Sequence, residues 1–364
     1  MDLAGNSLAK RQSTLIKAMR FPLICLVVFA HSIAPNDNPI QLSYDGWNIY
    51  HFVSELVSCN FCKIAVCWFF VFAGYFFFLN VPEEGISWNW LKDKWKRRVF
   101  TLLIPFVVWN LLAVFIPLIK AFLFTKLGIP QSNVEGEYSL FNNGIFYWFI
   151  TGPADFPLWF MRDLIILCLL TPALYAIFKY TPRYVGIIVL AILFLLPFEP
   201  DVFRWRGFFF FSLGAFLSIQ RLNMLELCRK VKWPAAILAV ILLILSTFFN
   251  ASTAHNWLLR AFFPFGMITF MNIFDHLIDN ERVRTRLEKL SSAVFFIYAS
   301  HAIYIMPWTN GLFKRLINDS LGGVWVRWFF FPVVVLLICL GLYYLLRAIM
   351  PRTLAFICGG RSKK

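Results

Sequence analysis

Apolar runs of roughly 15–25 residues recur from one end of this chain to the other, and a run of that length is what a hydrocarbon core of about 30 Å requires of a helix that crosses it. The runs occupy residues 15–34, 60–80, 99–124, 158–178, 184–198, 207–219, 233–250, 257–274, 292–308 and 324–350. They predict an all-α, polytopic membrane bundle of about ten transmembrane helices. Only 15% of the 364 residues are charged and 60% are hydrophobic, where a soluble domain carries about 25% charged residues. A further aromatic stretch, 140–150, is too short to span and reads as an interfacial or re-entrant piece. The first run follows Lys10, Arg11, Lys17 and Arg20, but it contains His31 and no clear small-residue cleavage site, so it reads as a retained span rather than a removable leader.

The net charge of +15 is distributed as short basic clusters between the runs, which excludes a single nucleic-acid-binding patch and makes the clusters topology signals. They are the N-terminal tail, Lys92/Lys94/Lys96/Arg97/Arg98, Arg221/Arg229/Lys230/Lys232, Arg282/Arg284/Arg286/Lys289, and the C-terminal Arg352/Arg361/Lys363/Lys364. With ten spans all fall on one side, while residues 35–58 hold no Lys or Arg. The positive-inside rule then places both termini in the cytoplasm. Residues 1–364 read as a single membrane domain with no hydrophilic domain appended. The loop 125–157 is the longest on the outer side. Cys59 and Cys62 form a lone C-x-x-C without a second pair or a histidine cluster, so they read as packing residues, and no metal is expected.

Ionisable side chains within spans are costly and mark functional sites. The sequence offers Arg20, His31, Lys63, Arg162, Asp163 and His301. An eleven-residue step is three helical turns plus about 20°, so Arg20 and His31 share one face of the first span, about 16 Å apart along its axis. A fixed cation at the inner mouth and a titratable imidazole deeper in suit an elongated anionic cofactor. The plainer reading makes Arg20 a snorkelling residue and His31 an interfacial one, and Pro22 between them could kink the helix.

Several segments in chain order resemble the acyltransferase 3 family of membrane O-acyltransferases. The first is "MRFPLICLVVFAHS", with Arg20, ten intervening residues and His31. "WFFVFAGYFFF" (68–78), "KWKRRVFTLLIPFVVW" (94–109), "PLWFMRDLIIL" (157–167), "FFFFSLGAFLS" (208–218) and "FFIYASHAIYI" (295–305) follow. Ala73 stands where a Ser is usual before Gly74. The resemblance implies transfer of an acyl group, most often acetyl from acetyl-CoA, to a hydroxyl of an extracytoplasmic glycan by a multi-pass protein of the bacterial inner membrane. It implies His31 and Arg20 as catalytic residues, His31 serving as general base or transient acyl carrier. Arg97 and Arg98 would suit CoA phosphates, or be ordinary positive-inside residues. Trp159 and Arg162 would meet the sugar or anchor the interface, and His301 would assist proton transfer or make a structural hydrogen bond. Arg162 and Asp163 point about 100° apart and are expected to pair with other spans rather than with each other. The competing readings are a transporter or flippase for a lipid-linked or anionic substrate, and a glycan polymerase. Neither internal symmetry nor a basic outer loop favours them.

Overall fold

The computed structural model describes residues 3–33, 38–41, 43–128, 147, 152–196 and 204–361. Among the described residues there are helices and no strands. They run in the order α1 (Leu3–Ala30), α2 (Gly46–Ser54), α3 (Ile64–Phe78), α4 (Trp88–Arg98), α5 (Ile104–Lys126), α6 (Trp159–Leu169), α7 (Thr171–Tyr180) and α8 (Val185–Leu195). Then come α9 (Trp205–Ile219), α10 (Met224–Lys230), α11 (Lys232–Phe248), α12 (Ala254–Leu277), α13 (Glu281–Leu290), α14 (Val294–Ser300), α15 (Met306–Leu316), α16 (Leu321–Ile349) and α17 (Pro351–Ile357).

Among the described residues six helices are long and apolar enough to cross a membrane: Ser7–Ala30, Gly46–Phe78, Trp88–Lys126, Ala254–Leu277, Glu281–Leu316 and Leu321–Ile349. The number rises to eight if α6 with α7, bent by 55°, and α9 with α10, bent by 105°, each count as one span. The remaining two of the ten expected runs correspond to α8 and α11, which are shorter apolar helices. Eleven residues rise only about 16 Å, so α8 by itself falls short of the hydrocarbon thickness. The expected interfacial stretch 140–150 and most of the loop 125–157 lie outside the described residues.

Pro22 sits inside α1 without ending it; the helix stops at Ala30, one residue before His31. Among the described residues, helical stretches widen into π turns at Glu55–Asn60, Val99–Leu103 and His301–Ile305. Exposed positions on α11 (Ile237, Ile241, Ile244) and α16 (Leu337, Leu345) are apolar, as contact with lipid requires.

The tightest packing joins α3 and α9. A Cβ on Gly74 would stand 2.0 Å from the Phe211 carbonyl oxygen, and one on Gly214 would stand 2.0 Å from that of Val71. Each glycine lets the other helix's backbone approach, the device membrane helices use where lipid supplies no hydrophobic drive. Gly74→Val is therefore expected to cost about 3 kcal/mol or more, since backbone cannot yield as a side chain can. Loss of the monodisperse peak on size exclusion in detergent would register it.

One end of the bundle gathers the basic clusters. Arg11 binds Asp275 at 2.6 Å and Asp279 at 2.8 Å, and Arg229 reaches the other oxygen of Asp275 at 2.6 Å. Lys17 meets Glu288 on α13 at 3.0 Å, and Arg221 meets Glu83 at 3.0 Å. The buried Asp275 carboxylate, held between two guanidinium groups, fixes α1, α10 and α12 together.

Candidate active site

A cavity of about 1360 Å³ runs through the bundle beside α1, lined by Arg20 at one end and His31 further along. Among the described residues one π turn lines it, through Thr101 and Leu102, while His301, which begins a second, meets the lining residue His31, and the third is followed by the 3-10 turn that ends at the lining residue Lys63. Such turns are rare in helices and concentrate at functional sites, because an extra residue re-aims the side chains that follow.

His31 lies in the turn past α1, its backbone N–H shared between the Val27 and Val28 carbonyls. Its ring meets the edge of Phe156 at 5.3 Å between centroids, and its Nδ1 is 3.4 Å from Nε2 of the fully buried His301. The other nitrogen of His301, Nδ1, faces the carbonyls of Ile297 at 3.0 Å and Tyr298 at 2.8 Å. Carbonyls only accept, so Nδ1 of His301 carries a hydrogen, and the neutral ring then presents a lone pair at Nε2. His31 must donate from Nδ1 to that lone pair. This leaves Nε2 of His31 with a free lone pair, the form a general base needs. His301 thus bonds the Ile297 and Tyr298 carbonyls through one nitrogen and through the other sets the tautomer of His31, without itself lining the cavity.

The cavity is strongly cationic. At the Arg20 end it is lined by Lys17, Arg98, Lys289, Arg347 and Arg361, and at the His31 end by Lys63, Arg204 and Arg206. Glu288 is the one carboxylate among the described lining residues, and Lys17 already engages it. Arg20 forms no ion pair among the described residues; its guanidinium lies 5.7 Å from the Phe76 ring centroid. Arg361 returns to the cavity because Gly359 and Gly360 take φ of +60° and +78°, a conformation few other residues adopt. It stacks on Phe295 at 4.2 Å, and burial, with Arg98 and Arg20 nearby, pushes its guanidinium down to about 10.

The remaining expected residues divide. Arg98 lines the cavity and Arg97 does not. Trp159 lines it and carries the guanidinium of Arg204 over its ring at 4.1 Å. Arg162 is outside the lining, buried, and bonded through Nε and Nη2 to Asp163 Oδ1 at 3.0 and 2.8 Å. The two neighbours therefore do pair, against expectation. The flexible arginine side chain spans the 100° between their directions, and a buried carboxylate without a cation would be far costlier than that bend. Cys59 and Cys62 are buried, free thiols.

The acyltransferase-domain family profile matches residues 15–346. The chain belongs to the acyltransferase 3 family. Among curated proteins it is similar to the succinoglycan biosynthesis protein ExoH of Rhizobium meliloti (strain 1021), with 25% identity over 364 residues, covering 96% of this chain and 93% of that one. No solved structure matches the chain. Membership makes the protein a multi-pass membrane acyltransferase, and the profile encloses Arg20, His31 and His301 together.

Proposed function

We propose that this acyltransferase moves an acyl group, most often acetyl, from acyl-CoA in the cytoplasm to a hydroxyl of a glycan on the outer side of the bacterial inner membrane. The observation that supports it best is the oriented pair, His301 holding His31 in the base-competent tautomer at the far end of a cationic cavity. The gathered basic clusters favour a cytoplasmic Arg20 end with both chain termini on that side. The relative named for succinoglycan biosynthesis supports a polysaccharide acceptor.

In this reading Arg20, Arg98 and Arg361 hold the CoA phosphates, and the acyl arm extends along the α1 face toward His31. Nε2 of His31 takes the hydroxyl proton as the acceptor oxygen attacks the thioester carbonyl carbon. The C–S bond breaks with its electron pair leaving on sulfur, and the imidazolium returns its proton to the thiolate. An ester and free CoA result. In this reading Trp159 stacks on a sugar ring, while Arg162 supports it through Asp163 and Arg204.

The test is His31-dependent release of free thiol from acetyl-CoA by purified protein. A transporter or polymerase shows none. His301 acts here as a positioning residue. His301→Leu is expected to lower kcat about 10- to 100-fold with KM for acyl-CoA little changed, because the tautomer is no longer enforced. His301→Gln, whose amide oxygen can still accept from His31, is expected to recover part of the loss.

A further inference from the structure

A second, smaller cavity of about 420 Å³ opens at the end of the bundle that gathers the basic clusters. Arg11 of α1, Arg229 of α10 and Lys232 of α11 line it, facing Asp275 of α12 and Asp279 just beyond. The exposed His276 lines it too. Acyl transfer gives this cavity no task.

The two carboxylates orient the arginines without using all their donors. Nε and Nη2 of Arg11 hold Asp275 and Asp279, and Nε and Nη2 of Arg229 hold Asp275. A guanidinium carries five N–H donors. Among the described residues the Nη1 of each arginine has no acceptor. Lys232 forms no ion pair among the described residues, and its ammonium lies 5.4 Å from the Trp233 ring centroid. Glu226, also on α10, is engaged by Lys230 at 2.8 Å. Three cationic side chains with donors to spare therefore share one concave wall, a setting for the oxygens of a phosphate.

The surroundings decide what carries that phosphate. Trp233 and Ile237 stand one turn apart on α11, exposed by 71% and 61%, and Ile273 and Leu277 stand one turn apart on the neighbouring α12, by 52% and 43%. An exposed apolar surface of this kind beside a charged pocket marks contact with membrane. A soluble phosphate would leave these side chains without a partner. A phospholipid supplies both parts, and basic pockets between membrane helices on the cytoplasmic side suit anionic headgroups.

We propose that Arg11, Arg229 and Lys232 bind the headgroup phosphate of an anionic phospholipid, whose acyl chains lie against Trp233 and Ile237. The lipid reinforces the Asp275 clamp that joins α1, α10 and α12. The site is independent of the acyl-transfer reading and stands whether or not the chain moves an acyl group.

The experiment titrates purified full chain, in detergent, with phosphatidylglycerol or with phosphatidylcholine of the same acyl length. Thermal midpoint and the lipid retained in native mass spectrometry are the readouts. Phosphatidylglycerol is expected to raise the midpoint and to be retained in preference to phosphatidylcholine. Lys232→Met is expected to weaken its apparent affinity about fivefold, the worth of one basic side chain near an anionic surface, and Lys232→Arg to preserve it. Arg286→Met removes the same charge from an exposed position of α13 outside the pocket and should change the affinity less than twofold. Lys232 makes no ion pair to lose, and an unchanged midpoint without added lipid verifies that the variant folds; if that midpoint falls, Trp233→Ala tests the acyl side in its place and should also weaken retention. An equal loss in Lys232→Met and Arg286→Met, or none in either, means diffuse attraction to the bilayer and overturns the site. Glycerol 3-phosphate, which has the phosphate but no acyl chains, should give no protection at the same concentration. Lys232-dependent protection by it as strong as that by the lipid would make the pocket a soluble-phosphate site and sink the lipid assignment.

Discussion

His31→Ala is expected to lower acyl transfer by about 10²- to 10⁴-fold, the range a positioned general base contributes, with membrane insertion and yield unchanged. Insertion should survive because His31 lies past the end of α1, half-buried, and its ring meets Phe156 and His301 rather than the α3–α9 seam that holds the bundle. The measurement is thiol release from acetyl-CoA by equal amounts of monodisperse wild type and variant. Activity within threefold of wild type would remove His31 from the chemistry. The same preparation separates the two roles of the imidazole. A transient acyl carrier gives a burst of thiol equal to the enzyme present when acceptor is omitted, whereas a general base gives none. The tautomer argument predicts no requirement for a carrier, since the lone pair on Nε2 suffices to take a hydroxyl proton.

Much of this site is legible in the chain because helical geometry is periodic. The spacing of three turns puts Arg20 and His31 on one face, and both line one cavity although α1 ends at Ala30. The long apolar runs likewise announce helices, since their length is set by the bilayer. What periodicity within one helix does not reveal is contact between distant helices. His301 is 270 positions from His31, and nothing local to either marks the pairing; the histidine after "FFIYAS" is legible as an in-span ionisable group within a family-like segment, but not as the partner of His31. Nothing in the sequence singles out Arg206, and only the approach of α9 to α3 through Gly74 and Gly214 brings it near Lys63. The number of spans is also less legible than the runs suggest. Hydrophobicity marks α8 and the bent pairs equally well, but whether a short or broken helix crosses depends on neighbours that a window along the sequence does not see. Arg162 and Asp163 failed as a sequence inference for a related reason: Cβ directions govern short side chains, whereas an arginine can reach around the helix to a carboxylate that burial makes needy.

Arg20→Ala carries the other large effect. Arg20 forms no ion pair among the described residues, is surrounded by further cations, and faces a cavity whose opposite end holds the base. A guanidinium kept in that state is available to phosphate, which it binds through charge-assisted hydrogen bonds worth about 1.5–3 kcal/mol each. Losing about 2–3 kcal/mol of donor binding corresponds to roughly a 30- to 150-fold drop in kcat/KM for acyl-CoA. Most of it should appear in KM if the phosphates are held equally in ground and transition states. Arg361→Ala should act in the same direction, because the Gly359–Gly360 turn delivers its guanidinium to the same end of the cavity, near Arg20 and Arg98. If the two arginines grip one anion, the double variant loses less than the product of the single losses, since neither alone completes the site. A simple product would mean separate anions. If Arg20→Ala binds and turns over acyl-CoA like the wild type, the phosphate end of the cavity must lie elsewhere. Measured against CoA and against dephospho-CoA, the same cycle identifies which phosphate the pair holds, because the arginine that contacts the 3′-phosphate loses its effect when that group is missing.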